Sequence, residues 1–74
     1  MTAQANAPTP FSRNLQRQRT AHGWSFRQAA AATGLSHMTI RRAETGARTS
    51  VFDAAKLAAA YGTTVDALLA EPAS

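Results

Sequence analysis

Seven arginines fall between positions 13 and 48, at Arg13, Arg17, Arg19, Arg27, Arg41, Arg42 and Arg48, and Glu44 is the only acid among them. A guanidinium presents paired N–H donors that match a carboxylate, a phosphate or the edge of a guanine. From position 49 onward the balance reverses, with Lys56 outnumbered by Asp53, Asp66 and Glu71. A basic stretch followed by a mildly acidic end points to an anionic partner for one face. Enzymatic chemistry finds little support. The chain has two histidines, no cysteine and four carboxylates, with no paired acids, no metal-ligand cluster and no Gly-rich phosphate loop. No cofactor, metal or small-molecule ligand is expected, and the lack of cysteine excludes disulfides and thiolate metal sites. RNA binding lacks the aromatic stacking platform it uses on a sheet.

The densest chemistry lies in SHMTIRRAETG, residues 36–46. On a helical wheel stepped by about 100° per residue, Ala43 and Glu44 fall within roughly 60° of Ile40. Met38, Arg41, Arg42 and Thr45 fall on the other side, and His37 sits in the first turn. Ile40 and Ala43 are therefore expected to pack inward, leaving a basic outer face. That face suits a DNA major groove, where arginine reads guanine and methionine or threonine touches a thymine methyl. Glu44 points inward, where an unpaired charge is costly. Arg19, on the inward stripe of the first helix, is its expected partner.

The elements that position these residues read as five short helices. Thr9 and Pro10 open the first, which Gly23 ends. Ser25 with Gln28 makes a capping box for FRQAAAAT, which stops at Gly34. Ser36 caps the third helix and Gly46 stops it. Ser50 caps the fourth, whose apolar stripe is Val51, Ala54, Leu57, Ala58 and Tyr61. Thr64 caps a fifth, VDALLAE, before Pro72. Strand signals are absent. Ala30 is expected to let helices two and three approach closely. The expected core is Phe11, Leu15, Trp24, Leu35, Ile40, Leu57, Tyr61, Val65, Leu68 and Leu69.

With 74 residues and a net charge of +4, the chain allows one small domain. Residues 1–8 have no period and read as a disordered tail, leaving 9–74 as the domain. No basic start precedes a hydrophobic segment, so no signal peptide is expected. The longest apolar run, residues 54–62, is too short to span a membrane. A cytoplasmic, bacterial or phage-encoded protein is the expectation.

The order of elements, with the tight connection Gly34-Leu35-Ser36, makes a helix-turn-helix. From Leu15 to Leu69 the chain resembles the phage repressor/Cro-like (XRE-type) DNA-binding family. The core of the likeness is SFRQAAAATGLSHMTIRRAETG, residues 25–46. Ala30, Gly34 and Leu35, then Ser36, Ile40, Glu44 and Gly46, stand where such proteins carry these types, as does Arg19 four residues before Gly23. The resemblance implies an all-α, compact five-helix lambda-repressor-like fold and a sequence-specific regulator, expected to be a repressor, on double-stranded DNA. It implies that helix three lies in the major groove. His37, Met38, Arg41 and Arg42 would face bases. Ser25, Phe26, Arg27, Ser36, Thr45, Arg48, Thr49 and Ser50 would lie along the phosphates. Arg19 and Glu44 would form a structural ion pair. A homodimer is implied too, with Val65, Ala67, Leu68 and Glu71 as its expected surface. The sequence departs from the pattern at Phe26, where many members carry a phosphate-binding glutamine, and at Ala29 and Ala43, where larger aliphatics are usual. The alternative is a protein-interaction module on the same fold, antitoxin-like or an adaptor, for which Phe52, Ala55 and Ala59 offer a second apolar strip.

Overall fold

The structure, a computed structural model, describes residues 7–71. The expected tail therefore lies largely outside the described residues, as do residues 72–74. The elements are α1 (Pro10–Ala21), α2 (Phe26–Thr33), α3 (His37–Glu44), α4 (Val51–Tyr61) and α5 (Val65–Leu69), with no strand among the described residues.

Each helix begins at a side-chain cap. Thr9, Ser25, Ser36, Ser50 and Thr64 are extended, and each hydroxyl accepts from a backbone N–H three residues on. This satisfies donors that a helix start leaves unpaired. Two caps are reciprocal, through Gln28 in α2 and through Ser12 in α1. Ser12 is fully buried, its Oγ accepting from Thr9 N–H at 2.8 Å and donating to Thr9 O at 3.0 Å. Three helices end in a wrapped turn whose N–H reaches back five residues, Trp24 to Arg19, Ala47 to Arg42 and Thr63 to Ala58.

α1 packs against α3 and α5, and α2 against α3 and α4. The core they enclose is Leu15, Ala29, Ile40, Ala43, Leu57, Ala58, Tyr61 and Leu68, with Phe11, Trp24, Leu35 and Val65 half-buried around it. Two expectations of burial are corrected here. Leu69 is 57% exposed, because on so short a helix Leu68 takes the inward position and its neighbour turns out. Val51 is 72% exposed, because it opens α4 beyond the edge of the core. Ala29 of α2 is fully sealed, and Ala30 beside it is half-buried and packed against the core. α5 also ends earlier than VDALLAE suggests. Asn14 Nδ2 donates to both Leu68 O and Ala70 O at 2.8 Å, and Ala70 is already extended. No helix among the described residues is long and apolar enough to cross a membrane.

Candidate nucleic-acid interface

Thr33 and Gly34 shape the turn between α2 and α3. Gly34 adopts φ +80°, a conformation that favours glycine, and its N–H closes on Ala30 O at 2.8 Å. The buried Thr33 hydroxyl donates to Ala29 O at 2.8 Å and accepts from Leu35 N–H at 3.2 Å. Thr33 stands four residues after Ala29 on the buried side of α2, but it carries no charge and no apolar bulk, so nothing in the sequence pattern singles it out.

The turn delivers α3 with its two sides separated. Ile40 and Ala43 are sealed in the core, while His37, Met38, Arg41 and Arg42 are exposed, Met38 at 47%. Ser36 fixes the start, accepting from Thr39 N–H at 3.1 Å. The far end is tied to α1. Arg19 Nε donates to Glu44 Oε2 at 2.7 Å, Arg19 Nη2 to Glu44 Oε1 at 3.0 Å, and Arg19 Nη1 to Trp24 O at 2.9 Å. The paired carboxylate raises the Arg19 pKa further, so the guanidinium stays charged. One side chain thus fixes the C-terminal turn of α3 and the loop that leads into α2.

Phe26, the first residue of α2, is half-buried beside this pair. The Arg19 guanidinium lies 4.1 Å from its ring centroid, and that of Arg41 lies 5.5 Å away. A phenyl ring cannot receive or donate to phosphate as glutamine does. Here it lies against two guanidiniums.

The flanking polar residues differ in what they have left to offer. Ser25, Arg27, Ser36 and Arg48 are exposed. The Thr45 hydroxyl is already donated to Arg42 O at 2.8 Å, and that of Thr49 to Ala47 O at 3.4 Å. Ser50 Oγ accepts from Asp53 N–H at 3.1 Å. Arg42 and Arg48 come together around one polar cleft of about 180 Å³, also lined by Thr39, Thr49 and Asp53. The expected dimer surface does not hold as a unit. Ala67 and Glu71 are exposed and Val65 is half-buried, but Leu68 is 1% exposed and belongs to the core. This corrects its expected place at an interface: a side chain that completes the packing of α1 against α5 cannot also face a partner.

A short helix, presented by a tight turn from a second helix and anchored so that its basic side faces outward, defines a helix-turn-helix domain. The pattern of the helix-turn-helix domain family matches residues 10–71. The fold is similar to that of the restriction-modification controller protein C.AhdI from Aeromonas hydrophila. That likeness has a TM-score of 0.75 and 31% identity, over 81% of this chain and 92% of that one. The chain belongs to the XRE-like helix-turn-helix family, and with it to the DNA-binding transcription regulators.

Two further solved structures share the fold. One is the iron(II) HppE complex with substrate, with a TM-score of 0.72 and 23% identity over 84% of this chain and 37% of that one. The other is the hydroxypropylphosphonic acid epoxidase from S. wedmorenis, with a TM-score of 0.72 and 22% identity over 88% of this chain and 35% of that one. This chain spans little more than a third of either, and the likeness is one of fold alone. No curated protein sequence matches the chain. Among the described residues, no three His, Cys, Asp or Glu side chains are grouped to hold a metal.

Proposed function

We propose that this protein is a sequence-specific transcriptional repressor that binds double-stranded DNA as a homodimer in the cytoplasm, with α3 in the major groove. The observation that carries the reading is the division of α3: Ile40 and Ala43 sealed, His37, Met38, Arg41 and Arg42 exposed, and the helix locked by Arg19 and Glu44. Base contacts belong to those four exposed side chains. Phosphate contacts belong to Arg27, Arg48 and the exposed cap residues Ser25 and Ser36, whose hydroxyls already accept from Gln28 and Thr39 N–H, with Thr45, Thr49 and Ser50 along the same edge. At Phe26 a phosphate would meet the backbone N–H at the start of α2 rather than the ring.

The test is selection of bound sequences from a random duplex pool, with the Arg42→Ala and Arg48→Ala variants alongside. Wild type enriches a motif, arranged as an inverted repeat if two copies bind. Arg42→Ala loses roughly 1–3 kcal/mol of discrimination at one base pair. Arg48→Ala weakens all sequences about equally and flattens the salt dependence. Motif-free, salt-sensitive binding by wild type would refute sequence readout.

A protein-interaction module on the same fold is favoured by one observation, the exposure of Phe52 at 78% beside Val51. It predicts capture of a protein partner that depends on Phe52 and not on Arg42.

A further inference from the structure

Phe26 holds a position that a DNA-contacting fold would fill most simply with a polar residue, and its ring is occupied by two arginines. Arg19 is the nearer, 4.1 Å from the ring centroid, and its charge is matched by Glu44 at 2.7 Å. A guanidinium already paired to a carboxylate leaves the negative π-face little altered for a second cation. Arg41 supplies that cation at 5.5 Å, within the range at which a guanidinium is attracted to a ring. Arg41 is exposed on the outer side of α3, whereas the ring belongs to α2. The contacts therefore cross the helix-turn-helix and bring three elements to one ring: Arg19 of α1, paired to Glu44, and Arg41 of α3 both lie against Phe26 of α2.

An exposed arginine samples many rotamers and loses that freedom when it binds. An arginine stacked on a ring that is itself held by a bidentate ion pair starts from a narrower set, and its planar fork is already oriented. We infer that Phe26 is a positioning residue for specificity, holding the Arg41 guanidinium for paired hydrogen bonds to a base edge. The inference rests on the proposed DNA reading and deepens it. Among the four base-facing side chains, Arg41 becomes the one whose orientation is set by another residue, and the aromatic ring braces it without any hydrogen bond.

The test combines two measurements. In the free wild-type protein, nuclear magnetic resonance should show the Arg41 side-chain protons displaced by the Phe26 ring current. Unshifted Arg41 protons would overturn the inference without any variant. Duplex selection is then run with wild type, Phe26→Leu, Phe26→Tyr, Arg41→Ala and the Phe26→Leu/Arg41→Ala pair, each checked for cooperative unfolding. Arg41→Ala should flatten the preference at one base pair by about tenfold. Phe26→Leu should flatten that same position while leaving the others, the pair should go no further than Arg41→Ala, and Phe26→Tyr should keep the wild-type profile. A Phe26→Leu profile that is unchanged, or affinity lowered equally for every sequence, would overturn it. If Phe26→Leu does not fold, the ring-current result and the Phe26→Tyr profile decide. Failure of the underlying DNA reading looks different, because wild type itself would then enrich no motif.

Discussion

The Arg19–Glu44 pair and Tyr61 are the side chains whose protonation and pairing bear most directly on stability. Glu44 is nearly buried and Arg19 largely so, their side chains 6% and 16% exposed. Removing one charge leaves the other desolvated and unmatched. Glu44→Gln should cost about 3 kcal/mol in denaturant unfolding, while joint replacement by apolar residues of similar size should cost far less. Tyr61 lies close enough to feel the same carboxylate. Burial, and after it the Glu44 charge, pushes the Tyr61 hydroxyl pKa up to about 12, with Arg19 opposing. A raised folded-state value favours the neutral phenol in the native protein. The contribution is therefore complete below pH 10, the ordinary tyrosine value, and is lost as pH rises toward 12. Stability should fall by an amount on the order of 2 kcal/mol across that window. Tyr61→Phe should remove the dependence. It should cost little at neutral pH, because the hydroxyl has no hydrogen-bond partner among the described residues. Equal alkaline loss in the Tyr61→Phe variant would place the effect elsewhere.

The helices themselves were legible because their punctuation is chemical. Each start is a hydroxyl three residues from the N–H it accepts, and each of Gly23, Gly34, Gly46 and Gly62 takes a positive φ. Ser25→Ala should therefore lower stability by about 1 kcal/mol, measured as a shift in the urea midpoint, and more if Gln28 is left without its reciprocal bond. Gly46 is the more demanding position. Its φ is +96°, and a methyl group there would collide with the Ala7 carbonyl. Gly46→Ala should destabilise by more than the conformational cost alone, and should displace the Ala7–Pro8 backbone, read as faster proteolysis there. Unchanged cleavage at Ala7–Pro8 would show that this backbone does not depend on the close approach.

What periodicity could not show was the outcome where two neighbouring residues are equally apolar. Leu68 and Leu69, and Ala29 and Ala30, are ranked only by the angle at which a short helix meets its neighbours. The stacking of Phe26 was hidden for a related reason. A ring at a polar position reads as a departure from pattern until the two guanidiniums that occupy it are seen in space.

At the scale of the molecule, one domain of this size buries too little DNA for tight specific binding, and two copies one helical turn apart would double the contact. The surface that would join them differs from the one read along α5, since Leu68 is internal. What α5 leaves outside is Leu69, 57% exposed, and it shares an apolar groove of about 410 Å³ with Pro10, Phe11, Val51 and Val65. Arg48 and Thr49 line the same groove, so a partner seated there would lie next to the proposed phosphate edge. A central apolar anchor, not the exposed rim, carries most of an interface's energy. Leu69→Asp should weaken self-association at least tenfold by analytical ultracentrifugation. It should leave the unfolding temperature of the monomer nearly unchanged, because the side chain is not part of the core. Binding to an inverted-repeat duplex should fall steeply with that variant, while binding to an isolated half-site should not. A wild-type chain that stays monomeric with and without DNA, or a Leu69→Asp variant that associates as before, would leave this groove without a role in assembly.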